Sequence, residues 1–215
     1  MAARSRSTRP SRPLRRAVAT RTPRKTVAVW CEGSRTEPLY LSALKSEPEV
    51  RDVAAVDIRI QEPSEGAVPL TLVSRAVDQR KRALAEEGEI DEFWCIFDVE
   101  WPLNHPNLQQ ALDLAQGNGI RVAVSNPCFE VWLAFHFTPH AGFLSNHDAK
   151  ALLRQYEDRP DKGLDSSLYM LHRSAARRTA AKLDAMHAKN GTIFPHNNPS
   201  SGMHSFLASV DSQDA

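Results

Sequence analysis

The chain has 215 residues, a formal net charge of +1 and three cysteines. That length suits one α/β domain with a real core and a small helical appendage. No apolar run reaches membrane-spanning length. Cys31, Cys95 and Cys128 are too few and too odd in number for a disulfide framework, and no C-x-x-C pair suggests zinc. With no signal-peptide apolar region either, the expectation is a cytoplasmic protein with no membrane partner.

The small net charge hides an asymmetry. Nine of the 27 basic residues fall within residues 1–25, where there is no acid, leaving 18 against 26 acids over 26–215, a net of −8. A tail rich in Pro, Ser and Arg cannot bury apolar surface, so disorder is expected over 1–25. Its chemistry suits non-specific attraction to phosphates. It also has the Arg-rich, acid-free look of a transit peptide, although its prolines disfavour an amphipathic helix.

Along the body, strand-like and helix-like patterns alternate. Thr26–Cys31 is an unbroken strand-like run that stops at Glu32-Gly33. Thr36-Glu37-Pro38 then reads as a helix start with Thr36 as N-cap, running through Leu39, Leu41 and Leu44 and ending before Pro48. Val53–Gln61 alternates, with Val56, Ile58 and Ile60 on one face, as a half-exposed strand near a sheet edge would. A linker over Glu62–Pro69 leads to a helix marked by Leu70, Val73, Val77 and Leu84, closed by Gly88.

Phe93–Phe97 is five apolar residues without a break, ending at Asp98 and Glu100 before Trp101-Pro102 turns the chain. Such a run reads as a strand buried on both faces. After the Trp101–Asn107 loop, Leu108, Leu112 and Ala115 mark a helix closed by Gly117 and Gly119. Ile120–Val124 is a fourth strand, followed at Ser125-Asn126-Pro127 by an aromatic-rich helix over Cys128–Phe137. Helices are expected over Asp148–Tyr156, Ser166–Lys189 and Met203–Asp211, with Asn197–Ser201 a turn before the last.

The order β-α-β-α-β-α-β-α argues for an α/β fold: a four-stranded, mostly parallel sheet flanked by helices. We divide the chain into a tail at 1–25, an α/β core at 26–145 and a helical C-terminal extension at 146–215.

Parallel strands bring their carboxyl ends to one edge, where open α/β sheets bind ligands. Glu32 ends the first strand, Asp98 and Glu100 end the third, and Glu130 lies just past the fourth. Like charges in reach of each other are costly unless a cation or shared proton relieves them. Oxygen donors of this kind suit Mg²⁺ or Mn²⁺. Arg35, in the turn after the first strand, is placed to hold a phosphate. His136 reads either as a packed core residue or as an acid/base. Cys31 reads as a buried thiol rather than a nucleophile. The turn Gly33–Thr36 lacks the Gly-Lys-Ser/Thr of a P-loop, so ATP hydrolysis by this chain is not expected.

The blocks Cys31-Glu32-Gly33-Ser34-Arg35-Thr36-Glu37-Pro38-x-Tyr40, Phe97-Asp98-x-Glu100, Asn126-Pro127-Cys128-Phe129-Glu130-x-Trp132 and Asn198-Pro199-Ser200-Ser201 resemble the RloB-like family of bacterial defence proteins, over about residues 26–211. That family resembles Toprim domains, the metal-binding catalytic modules of topoisomerases, primases and anti-phage nucleases. The resemblance implies a Toprim-like core, with Glu32 as general acid/base and metal ligand and Asp98 and Glu100 as Mg²⁺ ligands. Glu100 stands where Toprim domains carry Asp. Glu130 would take a second ion or orient water. Gly33, Arg35, Glu37, Asn126 and His136 are candidate substrate-binding positions.

The expected activity is Mg²⁺-dependent cutting of nucleic acid, DNA or RNA, in anti-phage defence beside an ATPase partner. The alternatives are a non-catalytic interaction or regulatory module of an ATPase complex, and phosphoryl transfer on a small nucleotide.

Overall fold

The computed structural model describes residues 24–61, 68–86, 88, 90–100, 105–157 and 163–211. Nearly all of the expected basic tail, most of the Glu62–Pro69 linker and the first half of the Trp101–Asn107 loop lie outside the described residues. The rest is an α/β sandwich. Its strands are β1 (Lys25–Cys31), β2 (Val56–Ile60), β3 (Glu92–Asp98), β4 (Arg121–Asn126) and β5 (Ser200–Ser201). They form one sheet in the order β2-β1-β3-β4-β5, parallel throughout except for β5, which runs antiparallel to β4.

The central strands are apolar without a break because both of their faces are covered. Side chains alternate along β1: Val27, Val29 and Cys31 face one core, Ala28 and Trp30 the other. On β3, Trp94 and Ile96 join the first core, and Phe93, Cys95 and Phe97 join the second. The second core is closed by α2 (Pro69–Ala85) and α3 (Leu108–Gly117), through Leu72, Val73, Ala76 and Ala111. The first and larger core is closed by α1 (Thr36–Ser46), α4 (Phe129–Ala134), α5 (Asn146–Arg154), α6 (Ser166–Lys189) and α7 (Met203–Val210). Here the C-terminal helices α5, α6 and α7 share one layer of the sandwich with α1 and α4. Arg173 of α6 ties that layer to the α1 end, 3.3 Å from Glu47 and 3.5 Å from Glu49.

The edge position expected for β2 is observed, but the strand starts at Val56, after a π-helical turn over Glu49–Val53. Thr36 is not the N-cap of α1. Arg35 holds that position, and no side chain caps the helix. β4 extends to Asn126, and α4 is shorter at both ends than the aromatic pattern suggested. α5 starts two residues early, at Asn146, because Ser145 and Asp148 form a reciprocal capping box there.

The main correction is the fifth strand. Ser200-Ser201, expected as part of a turn, pairs with Asn126 and Ser125 of β4. A two-residue strand is too short to show an alternation. What holds it is tertiary: the Ser125 and Ser201 hydroxyls lie 3.1 Å apart. Gly202 follows, where a Cβ would lie 2.9 Å from the Ala123 Cα, so only glycine lets this segment lie on β4. Among the described residues no helix is long and apolar enough to cross a membrane.

Candidate functional site

Because β1 and β3 are parallel neighbours, Glu32 and Asp98 emerge side by side at one sheet edge. The Glu32 amide continues the ladder, donating to the Ile96 carbonyl at 2.9 Å. Its side chain then turns across the strands, and Oε2 accepts from the Asp98 amide at 3.0 Å. Asp98 in turn reaches β4's successor: its Oδ2 accepts from the Phe129 amide at the start of α4, also at 3.0 Å. Two carboxylates thus stitch three chain crossings together. Below them, Glu37 curls back from α1 and its Oε1 accepts from the Gly33 amide at 3.2 Å. Any Cβ on residue 33 would overlap that carboxylate, which accounts for Glu-Gly as the turn sequence.

These bonds satisfy only one of the two Asp98 carboxylate oxygens among the described residues. The Asp98 residue keeps some solvent contact, yet its Oδ1 is buried and has no hydrogen bond among the described residues. Burial pushes the Asp98 carboxyl well above the usual carboxylate range. The charges of Glu37, Glu32 and Glu130 push the same way, and the Phe129 N–H only partly offsets them. Glu32 is raised by burial and by Glu100, against the Asp98 N–H and His105. Glu37 is raised by burial, with Glu130 and Glu32 adding to it. Three neighbouring carboxylates therefore hold protons more firmly than free acids do, the property of a cluster that a cation would stabilise.

His105 is the site residue that the sequence patterns missed. Its Nε2 lies 2.8 Å from Glu32 Oε1, close but not aligned as a directed hydrogen bond. It sits in the Trp101–Asn107 loop, and its only sequence signal is a histidine in the loop that leaves the Asp-x-Glu pair.

The other candidates separate. Glu100 is exposed, in a left-handed backbone conformation (φ +59°), with its N–H donating to the Pro127 carbonyl at 3.0 Å. Val99 takes the buried position between the two acids. Glu130, in the first turn of α4, lies 3.8 Å from Lys150 and lines a cavity that Arg35 also lines. Asn126 is fully buried: its Nδ2 donates to the Pro195 carbonyl at 2.8 Å, and its Oδ1 accepts from Asn198 at 3.3 Å. It braces β4 against the β5 segment, with no side-chain group left for substrate. His136 is 3 % exposed, with Nε2 3.2 Å from the Tyr40 hydroxyl and Nδ1 3.0 Å from the Trp132 carbonyl. Both ring nitrogens are engaged, and burial lowers its pKa to about 4, so it belongs to the core. Cys31 and Cys128 are buried with their thiols pushed upward, which makes neither a nucleophile.

Among the described residues no three His, Cys, Asp or Glu side chains form a ready-made metal cage. The donor set nevertheless fits a hard divalent cation, which takes one or two carboxylates and completes its shell with water. It is all oxygen, and it includes the unpartnered Asp98 Oδ1.

No curated protein and no solved structure matches the sequence significantly. A family model described as RloB-like protein matches residues 27–210, from the third residue of β1 to the last residue of α7. With the match running through every strand and helix that builds this edge, the chain belongs to the RloB-like family.

Proposed function

We propose that this chain is a Toprim-like nuclease, dependent on Mg²⁺ or Mn²⁺, that cuts nucleic acid in bacterial anti-phage defence together with an ATPase partner. The observation that carries the reading is the buried, unpartnered Asp98 Oδ1 beside Glu32 at the carboxyl edge of the sheet. Asp98 and Glu32 would hold the cation, with Glu100 as the donor on the solvent side. When bound, the metal would stabilise charge developing on a phosphoryl group. Glu32 holds or releases a proton at Oε1, where His105 lies close enough to take it. Arg35, exposed after β1, orients phosphate by its planar fork of donors.

A second reading is a non-catalytic module that regulates an ATPase. It is favoured by the internal bonds that Glu32 and Asp98 already make, and by the acidic body, since a nuclease acting alone usually presents a basic groove. The deciding experiment is cleavage of DNA and RNA with Mg²⁺ or Mn²⁺, with and without the ATPase. Wild type and a Glu32→Gln/Asp98→Asn variant are compared. Metal-dependent cutting that disappears in the variant is the expected result. No cutting under any condition, with tight ATPase binding retained, would favour the regulatory module.

A further inference from the structure

Beside the carboxylate edge lies a cavity of about 310 Å³, between the start of α1, α4, the end of α5 and residues 163–164. It sits at the lower end of the ~300–1,000 Å³ typical of small-molecule sites. Its polar lining is biased against the rest of the molecule: in a body that is acidic overall, three cations meet here, Arg35, Lys150 and Arg154. Neither Arg35 nor Arg154 has an ion-pair partner among the described residues.

The two carboxylates in the lining are already engaged. Glu130 faces Lys150, and Glu157 accepts from the Asp165 amide at 3.2 Å and from the Tyr169 hydroxyl. Two guanidiniums with no ion-pair partner among the described residues are suited to bidentate capture of phosphate oxygens. Thr36, the first residue of α1, also lines the cavity, so the positive end of that helix adds to the same field. The lining also has an apolar part, Leu133, Leu153, Leu39 and Leu164. Leu133 and Leu153 belong to the large core, so this wall is held by packing.

We propose that the cavity binds one nucleoside phosphate unit, with the phosphate on Arg35, Arg154 and Lys150 and the base against the leucine wall. The unit is either a free mononucleotide or the phosphorylated end of a strand. Glu130 sits both in this lining and among the charges acting on Asp98, which places the bound unit next to the carboxylate edge. The binding itself requires neither metal nor cleavage, so it stands or falls apart from the nuclease reading.

The test is fluorescence anisotropy with a 3′-labelled five-nucleotide strand, carrying or lacking a 5′-phosphate, at low ionic strength. Competitors are AMP, GMP, CMP, UMP and inorganic phosphate. The proteins are wild type, Arg35→Ala/Arg154→Ala and Glu32→Gln/Asp98→Asn. Both arginines are exposed, so the first variant should melt as wild type does, which a thermal scan checks. Binding by wild type is expected to weaken at least tenfold without the 5′-phosphate and at least tenfold in the arginine variant, and to survive in the carboxylate variant. Competition by mononucleotides at concentrations similar to the strand identifies a free nucleotide as ligand; a clear preference for the strand identifies a strand end. Equal binding by the arginine variant would overturn the proposal. So would inorganic phosphate competing as well as mononucleotides, or no binding of either ligand at millimolar concentration.

Discussion

Asn198→Ala tests whether the β5 segment holds the end of β4 in place. The Asn198 side chain makes three buried hydrogen bonds. Its Oδ1 accepts from the Leu144 amide at 2.9 Å, and its Nδ2 donates to the Leu144 carbonyl at 2.8 Å and to Asn126 Oδ1 at 3.3 Å. It acts as a backbone surrogate for Leu144, which is itself buried and cannot turn to water. Truncation strands one amide and one carbonyl, each costing ~1–3 kcal/mol when left unpaired in the interior. A total of about 3 kcal/mol follows, or a fall in Tm of ~6–12 °C for a chain of this size. Urea unfolding and thermal melting followed by circular dichroism measure both quantities. Asn198→Asp should be no better, since it keeps the acceptor, loses both donors and places a charge against two oxygens. A loss below ~1 kcal/mol for the alanine variant would refute the reasoning, because the Leu144 groups would then have other partners.

Three further outcomes are expected. Asp98, Glu32 and Glu37 bind protons more tightly folded than unfolded, so stability is lost as pH rises from the unfolded carboxylate value of ~4 upward. Without divalent cations the protein should melt lower at pH 8 than at pH 5.5, and Asp98→Asn should flatten that slope; an unchanged slope would exclude Asp98 as its main source. His136 works in the opposite direction: its stabilising contribution is complete above the ordinary value of 6.5 and is lost as pH falls toward about 4, at a cost of ~3 kcal/mol. His136→Gln should therefore shift acid unfolding to lower pH, and an unmoved midpoint would mean that the imidazole is solvated. His105→Ala removes an influence that lowers the proton affinity of Glu32. For the proposed nuclease activity, the acid limb of the cleavage pH profile should move upward, with activity at neutral pH falling roughly 100-fold. An unaltered profile would remove His105 from the site.

The fold class and the pair at the centre of the site were legible because they depend on local pattern. Phe93–Phe97 has no polar residue, as a strand covered on both faces requires, and the acids that end it mark the carboxyl edge of the sheet. Glu32-Gly33 was readable for the same reason. Asn126 and His136 show the limit of residue type as a guide. Asn126 stands inside a block of functional appearance and His136 one turn past it, yet each spends its hydrogen-bonding groups within the interior.

By itself, the sequence determined the alternation of strands and helices, the parallel sheet and the convergence of Glu32 and Asp98 on one edge. Those follow from periodicity and from the common direction of parallel strands. Tertiary structure alone decided that Ser200-Ser201 is a strand, that Glu100 turns to solvent while His105 meets Glu32, and that Arg35, Lys150 and Arg154 share one cavity. Each of these joins residues far apart in the chain, or depends on a backbone turn that no local periodicity encodes.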